Sequence, residues 1–171
     1  MRRSPDVVLV DVDGAVADQL LQLAKRDASP DEVAPPLGGP GWNLERTAWF
    51  FSYHHSAADG LDGPAAEKTW AVYSGGDIAG SARLKRCGSA EIPSAETGIW
   101  LGRGFRSRGI GGAALDLVLA EARRAGLKRV TARTLAANHA AQRLLAAAGA
   151  ALTHDDDGTV LAVVELQPAG D

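Results

Sequence analysis

The chain has 171 residues, 46% hydrophobic and 23% charged, enough for one globular domain with a buried core. A formal net charge of -3 argues against a general nucleic-acid or membrane-surface binder, and a single cysteine, Cys87, excludes an internal disulfide and a cysteine-based metal cluster. No leader or membrane span is legible, so the expectation is a cytoplasmic protein of a reducing compartment; abundant Ala, Arg and Gly suggest a GC-rich bacterial genome.

Asp6–Val10 reads as the first strand. Asp13 is placed to cap a helix in which Val16, Leu20, Leu23 and Ala24 recur near helical spacing. Ser29–Trp42 carries Pro30, Pro35, Pro36 and Pro40 with several glycines and reads as a loop. Asn43 starts a second helix that runs through Trp49 and Phe50 towards His55, and Ala57–Pro64 is a further loop. Trp70–Ser74 and Ile78–Leu84 flank a Ser-Gly-Gly-Asp turn, a hairpin signal. Ala95–Leu101 is the next strand. The helix after it shows Leu115, Val118, Leu119 and Ala122 on one face and stops at Gly126. Arg129–Thr134 is a strand. Asn138 then caps a helix with Ala141, Leu144, Leu145 and Ala148 inward and Gly149 at its end. Ala151–His154 and Thr159–Leu166 close the chain as a hairpin around Asp155-Asp156-Asp157-Gly158. Strands and helices in this order make an α/β domain with a largely antiparallel first half.

The most informative stretch runs from Ile99 through Arg103, Arg106 and Arg108 to Gly112: a strand, a basic glycine-rich turn and the first turn of a helix. A helix start leaves backbone N–H groups without intrahelical partners and carries the positive end of the helix dipole. Glycines let that backbone come close to a phosphate or pyrophosphate, and Arg106 and Arg108 add charge-assisted contacts to the same anion. The spacing Arg106-x-x-Gly109-x-Gly111 resembles the acyl-CoA pyrophosphate loop of the GNAT superfamily of N-acetyltransferases.

Other residues fall in register with that resemblance. Glu67-Lys68-Thr69-Trp70-Ala71-Val72, Gly80-Ser81 and Glu96-Thr97-Gly98-Ile99-Trp100-Leu101 look like the central strands of the RimJ/RimL-type branch. Asn138-x-x-Ala141-x-Arg143-Leu144-x-x-x-x-Gly149 is similar to a helix of that branch. The likeness covers residues 66–166 well and the preceding part by element order. It implies a single GNAT domain over 1–171, with 1–65 on the acceptor side and 66–166 forming the acetyl-CoA-binding core. Its fold would be a mixed, mostly antiparallel seven-stranded sheet flanked by about four helices.

The activity implied is transfer of an acetyl group from acetyl-CoA to a primary amine, by direct attack in a ternary complex. The acceptor would be a protein N-terminal α-amine or a small molecule. Cofactor contacts carried over from the family are Trp100, Leu101, Arg106, Ser107, Arg108, Gly109, Ile110, Gly111, Gly112, Asn138 and Arg143. The family strand ending at Leu101 splays from its neighbour, so the N–H of Leu101 or of a neighbour would polarise the thioester carbonyl. Glu96 is the candidate base and Glu67 the weaker, more structural carboxylate. Trp49, Tyr53, His54 and His55 are the candidate acceptor contacts, although Trp49 also suits the core and two exposed histidines are the simplest expectation for His54 and His55. Adjacent histidines do not share a helix face, so no metal is expected.

Two departures from the family pattern matter. Leu145 stands where many members carry a catalytic tyrosine, and Ala141 replaces the branch's serine, so this helix supplies no hydroxyl acid. A thiol of pKa about 8.5 leaves without one, more slowly. That loss also admits a non-enzyme reading, an acyl-CoA-binding sensor or scaffold. Val7-Val8-Leu9-Val10-Asp11-Val12-Asp13-Gly14 resembles the nucleophile strand of haloacid-dehalogenase-type phosphatases, but Ala15 departs from that pattern and the later lysine and Gly-Asp-x-x-x-Asp site are missing. The sequence does not name the acceptor. Dimers are common in the family, and a homodimer is compatible with the resemblance.

Overall fold

The computed structural model describes residues 5–167. The chain runs β1 (Val7–Asp11), α1 (Gly14–Asp27), α2 (Pro30–Val33), α3 (Leu44–Ser56), β2 (Glu67–Ser74), β3 (Asp77–Cys87) and β4 (Ser94–Leu101). A 3-10 turn (Arg103–Phe105) leads into α4 (Ile110–Arg124), β5 (Arg129–Leu135), α5 (His139–Ala147), β6 (Ala151–His154) and β7 (Thr159–Glu165). Seven strands form one sheet in the order β1-β2-β3-β4-β5-β7-β6. Only the β4–β5 pair is parallel. This is the mixed, mostly antiparallel seven-stranded sheet that the sequence leads one to expect. No helix among the described residues is long and apolar enough to cross a membrane.

Strand alternation decides which helices cover which face. Trp70 and Val72 pack with Ile110, Ala114, Leu115 and Val118 of α4. Their neighbours Ala71 and Tyr73 face Leu20 and Leu21 of α1 and Phe50 of α3. Each such fully buried aliphatic or aromatic side chain contributes on the order of 1.5–3 kcal/mol.

The three expected helix caps form. Asp13 Oδ1 accepts from the Val16 N–H at 2.8 Å, Asn43 Oδ1 from the Arg46 N–H at 2.9 Å, and Asn138 Oδ1 from the Ala141 N–H at 3.1 Å. Asp11 pairs with Lys68 at 2.8 Å across β1 and β2. The phosphatase-like strand is thus accounted for by an edge ion pair and a cap.

One element was not expected. The proline-rich stretch read as loop contains α2, which makes five helices among the described residues. Proline is tolerated at the first helical position, where its missing N–H has no partner in any case, and Pro30 sits there. Tertiary contacts hold the turn. Arg46 is 0% exposed and reaches back from α3, donating through Nη2 to Asp31 Oδ1 at 2.9 Å and to the Gly39 carbonyl at 3.2 Å.

β4 is the element that shapes the site. It pairs with β3 along its length but with β5 only at Ser94–Arg129, Ala95–Val130 and Glu96–Thr131. From there β5 runs on with β7, and residues 97–101 have no strand partner on that side. A wedge-shaped gap opens beside the second half of β4.

Candidate active site

The gap ends at a turn whose helix-start N–H groups lack intrahelical partners. The Gly102 N–H still bonds the Ala79 carbonyl of β3, at 2.9 Å, and then the chain leaves the sheet. Asp27, the last residue of α1, accepts the Gly104 N–H at 3.0 Å and anchors the turn. Ser107 at φ +60° and Gly109 at φ +79° bend it into α4. Gly109 caps α4 with no side-chain bond, and the Ala113 N–H is bonded back to the Gly109 carbonyl at 3.2 Å. The N–H groups of Ile110, Gly111 and Gly112 precede it, in the helix's first turn, where no intrahelical acceptor exists.

The two later glycines have different jobs. A Cβ on Gly112 would meet no atom within 4 Å, so the space in front of it is open. A Cβ on Gly111 would lie 2.9 Å from Leu144 Cδ1, so that glycine serves the packing of α5 on α4.

Arg106 and Arg108 both donate to backbone carbonyls here. Arg108 donates through Nη1 to the Gly104 carbonyl at 3.2 Å and lies 5.6 Å from the Phe105 ring centre. Arg106 donates through Nε to the Leu101 carbonyl at 3.0 Å and through Nη2 to Glu32 Oε2 at 2.8 Å.

Backbone direction along β4 follows from the Gly102–Ala79 bond. N–H and C=O groups alternate sides along an antiparallel strand. Gly98 and Trp100 therefore turn theirs to β3, whereas Ile99 and Leu101 turn theirs into the gap. Side chains follow the perpendicular alternation: Ile99 and Leu101 pack towards α4, and Trp100 lines a cleft on the opposite face. The Trp100 ring therefore faces that cleft and not the gap. Asn138 is engaged as the α5 cap, Arg143 is exposed on that helix, and Leu145 is buried in the core.

That cleft, of about 590 Å³, lies between α2, α3 and the β2–β3–β4 face. Glu67, Arg83, Glu96 and Gly98 form its floor, and Trp49 and Tyr53 its wall. The two rings stack at 4.9 Å, one turn apart on α3. The Tyr53 hydroxyl donates to Glu67 Oε2 at 2.6 Å. Burial first, then the Glu67 hydrogen bond and charge, push the Tyr53 hydroxyl far above its ordinary pKa, so it remains a donor.

Arg83 ties the carboxylates together. Its Nη2 donates to Glu96 Oε1 at 2.7 Å, and its Nη1 stands 3.8 Å from Glu67 Oε2. Burial works against the guanidinium charge, but the Glu96 hydrogen bond and the neighbouring acidic groups outweigh it and its pKa is raised. Gly98 faces Arg83 directly across the strands. A Cβ there would stand 3.1 Å from Arg83 Nε, so the bare glycine leaves the guanidinium room beside it. Glu67 is 7% exposed, whereas Glu96 is half-buried and Oε2 makes no hydrogen bond among the described residues.

The histidine pair divides, as a helix step of about 100° requires. His55 is exposed. His54 is buried, with Nδ1 2.9 Å from Thr69 Oγ1, and burial lowers its pKa to about 4. His54 is therefore a neutral core group at the back of the cleft. Trp49 and Tyr53 do line it, while Phe50 belongs chiefly to the core. Arg83, Gly98 and Glu32 were not singled out from sequence. Arg83 alternates with Ser81 and Lys85 on a strand, but its glycine partner depends on the β3–β4 register, which no local pattern specifies.

Comparison with known proteins agrees with this architecture. The profile of the acetyltransferase (GNAT) family matches residues 40–150. No curated protein sequence matches the chain. Among solved structures, the GNAT domain of S. lividans PAT is 20% identical with a TM-score of 0.69, over 95% of this chain and 90% of that one. Mycobacterium smegmatis RimJ, in complex with CoA-disulfide, is 19% identical with a TM-score of 0.74, over 93% and 81%. Campylobacter jejuni N-acetyltransferase PseH, in complex with acetyl coenzyme A, is 11% identical with a TM-score of 0.66, over 94% and 99%. At these identities the likeness establishes the fold.

Proposed function

The chain belongs to the GNAT acetyltransferase family, and we propose that it transfers the acetyl group of acetyl-CoA to a primary amine held in the Glu67–Arg83–Glu96 cleft. The observation that carries this reading is the position of β4 between two half-sites. One side of the strand opens to a gap that ends at unpartnered helix N–H groups; one face of it floors a cleft with carboxylates.

Acetyl-CoA fits the first half-site. Open space at Gly112 admits a diphosphate against the α4 amides, a favourable place for an anion. The outward groups of Leu101 and Ile99 suit the amides of the pantetheine arm. Strand rise of about 3.3 Å per residue places Ile99 roughly 10 Å from Glu96 and Leu101 roughly 17 Å. The Ile99 N–H is therefore the better donor to the thioester carbonyl, with Leu101 binding the arm. A donor of this kind is commonly worth about 3 kcal/mol.

The reaction is a direct displacement. The neutral amine nitrogen attacks the carbonyl carbon, a C–N bond forms, the C–S bond breaks, and CoA leaves as thiolate. Glu96, through its free Oε2 or a water, receives the ammonium proton, and the thiolate is protonated from solvent. No hydroxyl acid is offered by α5, whose Leu145 is buried. An α-amine of reference pKa about 8 needs less help from such a carboxylate than a lysine of about 10.4. This and the RimJ/RimL-like motifs favour a protein N-terminus as acceptor.

Thioester consumption, followed with a panel of peptides and small amines, tests the assignment. Turnover with an α-amine peptide is the expected result. Acetyl-CoA binding without turnover on any amine overturns it in favour of a sensor or scaffold.

A further inference from the structure

Arg106 touches both half-sites. Its Nε holds the Leu101 carbonyl at 3.0 Å, a group that faces the gap, while its Nη2 holds Glu32 Oε2 at 2.8 Å. Glu32 lines the acceptor cleft from α2. The adjoining Asp31 is fixed by buried Arg46, so α2 is pinned on one side by a buried arginine and on the other by a surface one. Both Arg106 and Glu32 side chains are 42% exposed. An exposed pair of this kind is worth no more than about 1 kcal/mol, so a diphosphate competes with it readily.

We propose that Arg106 is a positioning residue shared by the two substrates: it couples acetyl-CoA binding to release of Glu32 and α2 at the acceptor cleft. The inference rests on the proposed function. In the free protein Arg106 occupies the Leu101 carbonyl where an amide N–H of the pantetheine arm has to donate. Its guanidinium also stands at the turn where the diphosphate arrives. Both events draw it away from Glu32. The carboxylate left behind makes the cleft wall one charge more negative, which suits a cationic amine and comes into force only once the cofactor is bound.

Calorimetry with acetyl-CoA on four proteins tests the coupling: the native chain, Glu32→Ala, Arg106→Gln and the double variant. Glu32→Ala is expected to tighten acetyl-CoA binding by about two- to fivefold, because the competitor for Arg106 is gone. Arg106→Gln weakens binding, and adding Glu32→Ala to it changes nothing further. Unchanged or weaker binding by Glu32→Ala overturns the coupling while leaving the acetyltransferase reading intact. Absence of any acetyl-CoA binding by the native chain instead removes that reading, a distinct result. Hydrogen exchange gives a second readout: the amides of residues 31–34, of which Glu32 and Ala34 bond the Ser29 and Pro30 carbonyls, should exchange faster when CoA binds, and equally fast in free Glu32→Ala. Slower exchange there on binding CoA also overturns the proposal.

Discussion

Gly98 lies across the β3–β4 ladder from Arg83, and a Cβ on it would stand 3.1 Å from the guanidinium Nε. Arg83 in turn holds Glu96 at 2.7 Å and stands 3.8 Å from Glu67. One missing methyl group thus sets the place of the arginine that orders the floor of the cleft. Gly98→Ala should move the guanidinium by a few tenths of an ångström and loosen Glu96. A misplacement of about 1 Å can cost about 100-fold in turnover, so a shift of a few tenths should cost up to about tenfold. The expected pattern is a lower kcat with unchanged acetyl-CoA affinity in calorimetry; undiminished kcat would show that Arg83 does not position the base.

Glu96 and Arg83 can be separated by their pH profiles. Glu96→Gln removes the proton acceptor and should lower kcat by about 10²–10⁴ at neutral pH. Activity should recover in part at alkaline pH, where the amine arrives already neutral. Arg83→Gln keeps the carboxylate but frees its orientation, so kcat falls less and the recovery at alkaline pH is smaller. Identical profiles for the two variants would place the proton elsewhere.

Gly112 and Gly111 offer a second contrast. Gly112→Glu puts a carboxylate into open space in front of the α4 amides, so it should abolish acetyl-CoA binding and leave the unfolding midpoint unchanged. Gly111→Glu strikes Leu144 Cδ1 and should destabilise the fold by about 1–3 kcal/mol. Calorimetry and urea unfolding read the two effects apart. Full acetyl-CoA binding by the folded Gly112→Glu protein would show that the diphosphate lies elsewhere.

Local chemistry explains what was legible in the sequence. Asp13, Asn43 and Asn138 cap their helices because a short polar side chain before an apolar periodic run has one dominant use. The turn from Gly102 to Gly112 was readable for the same reason: its glycines, arginines and the helix start are contiguous. Helix α2 was hidden because its stability comes from Arg46, which is distant in the chain and invisible to any local window. The Tyr53–Glu67–Arg83–Glu96 chain joins one helix to three strands and exists only once the register is fixed. His54 and His55 are indistinguishable as letters. Their fates differ because one helix step turns the first onto Thr69 and the second to solvent.

His54 makes a stability prediction with a definite sign. Its pKa is lowered from 6.5 to about 4 by burial, so between those values the unfolded chain binds a proton that the folded chain refuses. Stability then rises with pH in that interval. The contribution of neutral His54 is complete above about pH 6.5 and is lost as pH falls towards about 4, by up to about 3 kcal/mol. Urea unfolding at pH 7.5 and 4.5 should show the native chain losing more stability than His54→Gln, which has nothing to titrate at that position. Equal losses in the two proteins would mean that the imidazole takes up its proton within the fold. Thr69→Val leaves Nδ1 without its partner and should cost about 1–3 kcal/mol at pH 7.5, where that ring is neutral in both states.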